Sequence, residues 1–234
     1  MAFSANDISF DERFAALDDH QARFVSKVYS GLTASLVVAA VSCAAGVEMF
    51  HHMDRQQVHG IMLGFLVLEV IMVLGLMFVR RLGGVFGWVF LFAFAGVTGV
   101  TLAPVIMSYA ISSGIQTVSA ALGITAALFL SLTAYVRWSG KDFSYLGGFL
   151  FMATIGLVVS GFLLMIFPSH DISYIKACIG ALVFCGWILY DTSAVTRQYY
   201  QQDNVVGAIL SLYLDILNLF LFLLQILGNG RRRD

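Results

Sequence analysis

Charged side chains are scarce in this sequence. Of its 234 residues 12% are charged and 59% are hydrophobic, and the mean hydropathy is +0.87. A typical soluble domain carries about 25% charged residues, and a soluble fold of this length needs more polar surface than this chain supplies. The scarcity of charge excludes an ordinary water-soluble domain and predicts that lipid surrounds most of the chain.

Several functional signals are missing as well. The 13 basic and 14 acidic residues nearly balance, so no nucleic-acid partner is indicated. The three cysteines lie in apolar runs without metal-site spacing. The sequence has no HExxH motif, glycine-rich phosphate loop, cofactor fingerprint or nucleophile–base arrangement. We therefore expect no enzyme and no cofactor. The polar start of the chain does not resemble a secretory signal peptide, so the first span is expected to be an uncleaved anchor.

Long apolar runs dominate what is present. A helix needs about 20 mainly apolar residues to cross the hydrocarbon core, and these runs are too long and too continuous for barrel strands. The sequence predicts an all-α, polytopic integral membrane protein, a seven-transmembrane-helix bundle. The seven predicted spans are Tyr29–Val47, Val58–Val79, Val85–Met107, Ile115–Val136, Tyr145–Phe167, Ile172–Tyr190 and Val205–Leu227.

The predicted domain organisation is simple. Residues 1–27 form a polar N-terminal tail, 28–228 the transmembrane domain and 229–234 a basic C-terminal tail. Residues 82–136 contain no charged side chain, so this stretch must fold back on itself, and Ser112–Gly114 is the expected break. The glycines distributed through the spans favour close helix packing.

Loop charges predict the orientation in the cell inner membrane. With the N-terminus cytoplasmic, the outer loops hold only Arg55 and Lys176. The basic tail, Arg231 to Arg233, would then lie outside and departs from the pattern. The basic residues of the inner segments are Arg13, Arg23, Lys27, Arg80, Arg81, Arg137, Lys141 and Arg197.

Ionisable residues at membrane depth indicate function. Asp191 and Asp215 each lie twelve residues from Asp203, in the turn between the last two spans. In an antiparallel hairpin they sit at the same height, so their carboxyl groups can face each other. Two carboxyls in a low-dielectric site cannot both ionise freely and titrate as a unit. Arg80, which ends the second span at the same side, could pair with one of them.

Simpler interpretations remain open for these residues. Asp191 could merely begin the helix end, and Asp215 could be a buried hydrogen-bonding residue beside Asn218. Glu69 falls in the middle of the second span, where it is expected to be protonated or to face an interior cavity. An aspartyl intramembrane protease is a weak further alternative, because the sequence has an aspartate pair but no GxGD motif.

Several sequence segments together resemble the transmembrane Bax inhibitor motif family, the Bax inhibitor-1 group. The resemblance runs from about Val58 to Gly228, and its last segment is the most specific. The matching segments are FAGVTGVTLAPV, GITAALFLSLTAYV, SGKDFSYLGGFLFM, ILYDTSAV and LSLYLDILNLFLFLLQILGN.

The resemblance implies a seven-helix protein with a pH-sensitive calcium leak, gated by an aspartate pair latched to an arginine. By motif match the pair is Asp191 in ILYD and Asp215 in LYLD, which are also candidate calcium contacts. The arginine is Arg80 in MFVRRLGG, with Arg81 as its neighbour, and Glu69 in VLEV matches an acidic position of the family. Calcium would be the transported ion, and the lipid bilayer the surrounding partner.

One departure and one alternative accompany this resemblance. Gln225 stands where the family often has an arginine, so a charge partner found elsewhere in the family is missing here. Other bacterial members are linked to membrane-protease quality control. A non-conducting regulator of a membrane protease or stress response is therefore the alternative function.

Overall fold

All of the regular secondary structure in the described residues is helical. This computed structural model describes residues 10–51, 53–54, 57–58, 60–61, 64–65, 67–69, 71–72, 75, 84–200 and 203–230. The described helical residues between 57 and 75 are called α2. The other helices are α1 (Phe10–His51), α3 (Gly84–Ser113), α4 (Ile115–Ser139), α5 (Gly147–Ile166), α6 (His170–Ala194) and α7 (Val205–Gly230).

Six of these helices are long and apolar enough to cross a membrane, which confirms the polytopic all-α fold. The second predicted span, Val58–Val79, includes residues outside the described ones. The predicted break between the third and fourth spans is confirmed at Gly114, where φ is +85°, a conformation that favours glycine. The six segments are Asp19–His51, Gly84–Ser113, Ile115–Ser139, Ser144–Ile166, His170–Arg197 and Val205–Asn229.

Helix α1 extends well beyond its predicted span. It begins at Phe10 and continues for 42 residues, which at 1.5 Å per residue is roughly 63 Å, about twice the thickness of the hydrocarbon core. The predicted N-terminal tail is thus helical from Phe10 and continuous with the first span. Within this extension Phe24 is buried, so the helix packs on the bundle before it reaches the predicted start at Tyr29.

Helix α7 lies at the centre of the bundle and contacts α1, α3, α4 and α6. Its first half, around Ile209, packs with α1 and α3 in one buried cluster. Its second half, around Leu224, packs with α4 and α6 in another. Helix α5 is peripheral, since α6 is the only other long helix it packs on within the described residues. At the interface of α6 with α7, Ile188 and Leu219 are fully buried.

Glycine brings α1 and α3 into close contact, as the sequence predicted. A Cβ at Gly99 would collide with the backbone of Ala39. On α1, a Cβ at Gly46 would lie 2.9 Å from that of Ala103. Gly156 differs, because a Cβ there would meet no atom within 4 Å. Close packing therefore accounts for some of the glycines in the spans and not for others.

The α6–α7 hairpin carries the aspartates of interest. Helix α6 runs past its predicted end at Tyr190 to Ala194 and continues as a π-helical segment, Val195–Tyr199. Asp203 then makes the turn with φ +48°, and its N–H donates to the Tyr200 carbonyl at 3.1 Å. Wider π turns are frequent at functional sites, and this one begins one helical turn after Asp191.

Candidate functional site

Asp191 and Asp215 meet between α6 and α7. The two residues are 5% and 4% exposed, and their carboxyl groups lie close enough to interact directly. Two carboxyls this close in a low-dielectric interior cannot both ionise freely. The hairpin geometry predicted from Asp203 is thus present, and Asp191 is enclosed within a helix.

One carboxyl oxygen of the aspartate pair lacks a hydrogen bond within the described part of the chain. The Asp215 Oδ2 atom is buried and has no hydrogen-bond partner among the described residues. Asn218, the alternative neighbour considered from the sequence, donates instead to the Leu214 carbonyl at 2.7 Å. A buried acceptor without a donor costs free energy, so the pair suits a cation or a further proton.

A second polar cluster lies on another face of α7. The buried hydroxyl of Tyr213 is hydrogen-bonded to Thr98 on α3. Glu69, half-buried on α2, bonds the hydroxyl of Thr101 and interacts electrostatically with Tyr213. Residues two apart on a helix do not face the same way. Tyr213 and Asp215 therefore serve two separate polar clusters, one on each side of the central helix.

A loop clamps the end of α6 just beyond the aspartate pair. Arg197 Nη1 donates to Asp142 Oδ2 at 2.6 Å, and its Nη2 donates to the Gly140 carbonyl at 3.2 Å. The Phe143 N–H lies 3.4 Å from the Ser193 hydroxyl, two residues past Asp191. The Ser144 N–H, with help from Arg197, holds the pKa of Asp142 below its usual value. The ion pair of Asp142 with Arg197, which we call the clamp, therefore stays charged at neutral pH.

The remaining predicted residues differ in how the structure places them. Arg80 and Arg81 lie outside the described residues, so the arginine latch stays a prediction. Glu69 does not join the aspartate pair and lies instead in the Tyr213 cluster. Gln225 is half-buried on α7. The structure thus brings together the two aspartates and keeps the third acid apart.

The charge-based interpretation of the sequence missed the uncharged polar groups that line the interior. The hydroxyl of Tyr29 on α1 faces Thr133 and Thr192, yet neither threonine Oγ1 completes a hydrogen bond with any described residue. Tyr213 was missed for the same reason. The sequence signal that could have found these groups is the presence of threonine and tyrosine inside otherwise apolar spans.

The described residues include no cluster of three or more His, Cys, Asp or Glu side chains suited to a resident metal ion. Calcium takes six to eight oxygen ligands, so two carboxyls alone provide only part of a coordination shell. As contacts for a passing ion that keeps some of its water, Asp191 and Asp215 have suitable chemistry.

The fold and the buried carboxyl pair define a multi-pass α-helical membrane protein with an ionisable interior. Residues 21–232 match the family model described as Inhibitor of apoptosis-promoting Bax1. The chain therefore belongs to the Bax inhibitor-1 family, which confirms the resemblance drawn from the motifs.

Similar proteins come from bacteria, yeast and mammals. The Bax inhibitor 1 of Schizosaccharomyces pombe is 33% identical over 216 residues, which cover 90% of this chain and 78% of that protein. Protein lifeguard 4 of Mus musculus is 35% identical over 207 residues, 87% of this chain and 84% of that protein. An uncharacterized membrane protein of Vibrio cholerae is 40% identical over 150 residues, 63% of this chain and 66% of that protein.

Proposed function

We propose that this protein is a pH-sensitive calcium leak channel of the cell inner membrane. Asp191 and Asp215 act as its pH-sensing gate, and Arg80 is the ion-pair partner that latches one of them. The single observation that carries the proposal is the close approach of two carboxyl groups buried between α6 and α7. Membership of the Bax inhibitor-1 family supports it, since the resemblance implies this activity.

The shared proton is the physical basis of the gate. When it leaves, two negative charges stand in contact between packed helices. At an effective dielectric constant of about 20, unit charges about 4 Å apart repel by about 4 kcal/mol. A two-state element needs about 5.5 kcal/mol to move from 1:99 to 99:1. The repulsion supplies most of that free energy, so it can shift the packing of α6 on α7 from one state toward another. Arg80 or a cation would offset it.

Calcium fits a path lined by acids and hydroxyls. Carboxylate oxygens are its preferred ligands, and an ionised Asp191–Asp215 pair offers them at one level of the bundle. Glu69, which interacts with Tyr213 on another face of α7, is a third acid that an ion could use. A protein with a cytoplasmic N-terminus would place the aspartate pair nearer the cytoplasm, where it senses cytoplasmic pH.

The test is calcium entry into liposomes that contain the purified protein, reported by an enclosed dye from pH 6 to pH 8. We expect flux above that of empty liposomes, with a steep pH dependence over roughly one to two pH units. Asp191→Asn and Asp215→Asn each remove a titrating group and should flatten the profile. Asp203→Asn is the matched control, because this exposed turn residue on the same hairpin has a backbone conformation that asparagine also adopts.

Two outcomes would contradict the proposal. Wild-type flux equal to that of empty liposomes would remove the channel and favour a non-conducting regulator of a membrane protease or stress response. Flux with the same pH profile in the wild type and both variants would separate conduction from the aspartate pair.

A further inference from the structure

Two cavities lie along the side of the bundle where α1 and α4 run next to each other. The first, about 670 Å³, is lined by α1 between Gln21 and Thr33, by Arg137 at the end of α4 and by Thr196 in the π-helical segment after α6. The second, about 610 Å³, is lined by α1 between Leu36 and Ala44 and by α4 between Val118 and Leu130. Each volume is in the range of a small-molecule site. We call the two cavities together the α1–α4 groove.

The cavities follow one another along both helices. Thr33 and Leu36 are less than one turn apart on α1, and Leu130 and Arg137 are about two turns apart on α4. From Gln21 to Ala44 the groove covers roughly 35 Å of α1 at 1.5 Å per residue. The two cavities therefore lie in line, one at the end of the bundle and the other in its hydrophobic interior.

The two parts of the groove differ sharply in chemistry. The first presents one cation, Arg137, together with hydroxyl and amide side chains, and no carboxylate among its lining residues. The second is aliphatic and aromatic except for two hydroxyls. Both of these are already used, because Thr125 donates to the Ala121 carbonyl at 2.7 Å and Tyr213 bonds Thr98. The groove therefore fits an amphiphile with an anionic head and an apolar tail.

Two buried threonine hydroxyls lie close to the first cavity. Thr133 is one turn before Arg137 on α4 and is 8% exposed, and Thr192 is one turn before Thr196 and is 2% exposed. Neither threonine lines either cavity. Both interact with the hydroxyl of Tyr29, which does line the first cavity. Tyr29, Arg137 and the other polar side chains of the lining are therefore the groups available to the oxygens of a polar head.

The groove opens to the side rather than into the protein. The second cavity has α3 and α7 as its floor, and within the described residues α1 and α4 are not among the helix pairs that pack extensively on each other. Its wall residues Leu122 and Leu130 are themselves exposed, so they face the surrounding lipid. An occupant can therefore enter directly from the bilayer. A phospholipid is the amphiphile present there, with one acyl chain in the apolar cavity and the other left in the bilayer.

We propose that the α1–α4 groove binds an acidic phospholipid, with its phosphate on Arg137 and one acyl chain between α1 and α4. Arginine binds phosphate oxygens through two parallel N–H donors. The polar cavity has no carboxylate to pair with an ammonium head, which favours phosphatidylglycerol over phosphatidylethanolamine. The site does not depend on calcium conduction and would exist equally in a non-conducting regulator.

Native mass spectrometry of the full chain in detergent tests the proposal with three probes: phosphatidylglycerol, phosphatidylethanolamine and oleate. We expect phosphatidylglycerol to be retained in preference to the other two. Arg137→Gln should weaken its retention by about tenfold or more, as loss of a charge-assisted hydrogen bond implies. Lys141→Gln, which removes a charge from the same end but does not line the groove, should leave retention unchanged.

A second variant tests the acyl-chain cavity. Ala126 lines it, so Ala126→Trp should fill it and lower retention, whereas Ala134→Trp, eight residues along α4 and outside both linings, should not. Equal retention of phosphatidylglycerol and phosphatidylethanolamine would overturn the proposal. So would retention that neither Arg137→Gln nor Ala126→Trp reduces. Preferential retention of oleate would show that a free fatty acid, and not a phospholipid, is the occupant.

Discussion

At the scale of single residues, two kinds of carboxyl group lie close together in this protein and have opposite surroundings. Asp191 and Asp215 are buried and lie next to each other. Asp142 is half-exposed beside Arg197. Two carboxyls in contact inside the bundle cannot both ionise freely, whereas the hydrogen bond from Ser144 keeps Asp142 ionised. We therefore expect the buried pair, and not Asp142, to respond to pH near neutrality.

This contrast predicts how Asp142→Asn behaves. Since the pKa of Asp142 is lowered in the folded protein, its stabilising effect is present above its usual value and is lost only as pH falls below that value. Between pH 6 and pH 8 the clamp with Arg197 should not titrate. We expect Asp142→Asn to leave the midpoint of the calcium flux profile unchanged. Amide hydrogen exchange at Ser144 should become faster, because its N–H loses a charged acceptor 2.9 Å away. A shifted midpoint would mean that the clamp belongs to the sensor.

At the scale of helices, α1 and α3 are held together by small residues, and α7 organises the rest. The close approach at Gly99 leaves no room for a side chain, so the α1–α3 pair acts as a rigid unit. The α6–α7 hairpin differs, because polar groups lie at its interface and a π-helical segment follows α6. We expect movement between states to occur at the hairpin and not between α1 and α3.

The close packing of α1 on α3 can be tested with Gly99→Ala. The added methyl group would strike the backbone of Ala39, and overpacking of this kind typically costs about 1–3 kcal/mol. We expect a lower midpoint of thermal unfolding in detergent than for the wild type. Gly123→Ala in α4 is the matched control, because a Cβ there meets nothing within 4 Å and alanine favours the helix. Equal melting of Gly99→Ala and the wild type would contradict the close packing.

At the scale of the whole molecule, the hydropathy and charge of the sequence predicted most of the fold. The spans were predictable because lipid demands apolar runs of fixed length, and the aspartate contact because hairpin symmetry places Asp191 opposite Asp215. The start of α1 at Phe10 was not predicted, since a polar helix outside lipid gives no hydropathy signal. The α1–α4 groove was not predicted either, because contacts between helices distant in sequence leave no local pattern at Tyr29 or Arg137.

Orientation is a whole-molecule prediction that follows from the loop charges. Reporter fusions at the N-terminus and after Arg81 should be cytoplasmic, and a fusion after His52 should be periplasmic. A cytoplasmic reporter at His52 would reverse the orientation. It would also move the aspartate pair and Arg137 to the opposite side. A cytoplasmic C-terminal tail would affect only the last crossing.

The central claim is that Asp191 and Asp215 act as one gate through a shared proton. A double-mutant cycle on calcium flux in liposomes tests it most directly, using Asp191→Asn, Asp215→Asn and the double variant from pH 6 to pH 8. If the pair is one unit, each single variant flattens the pH profile and the double variant flattens it no further. Effects of the two substitutions that simply add, each removing an independent part of the pH dependence, would contradict the account.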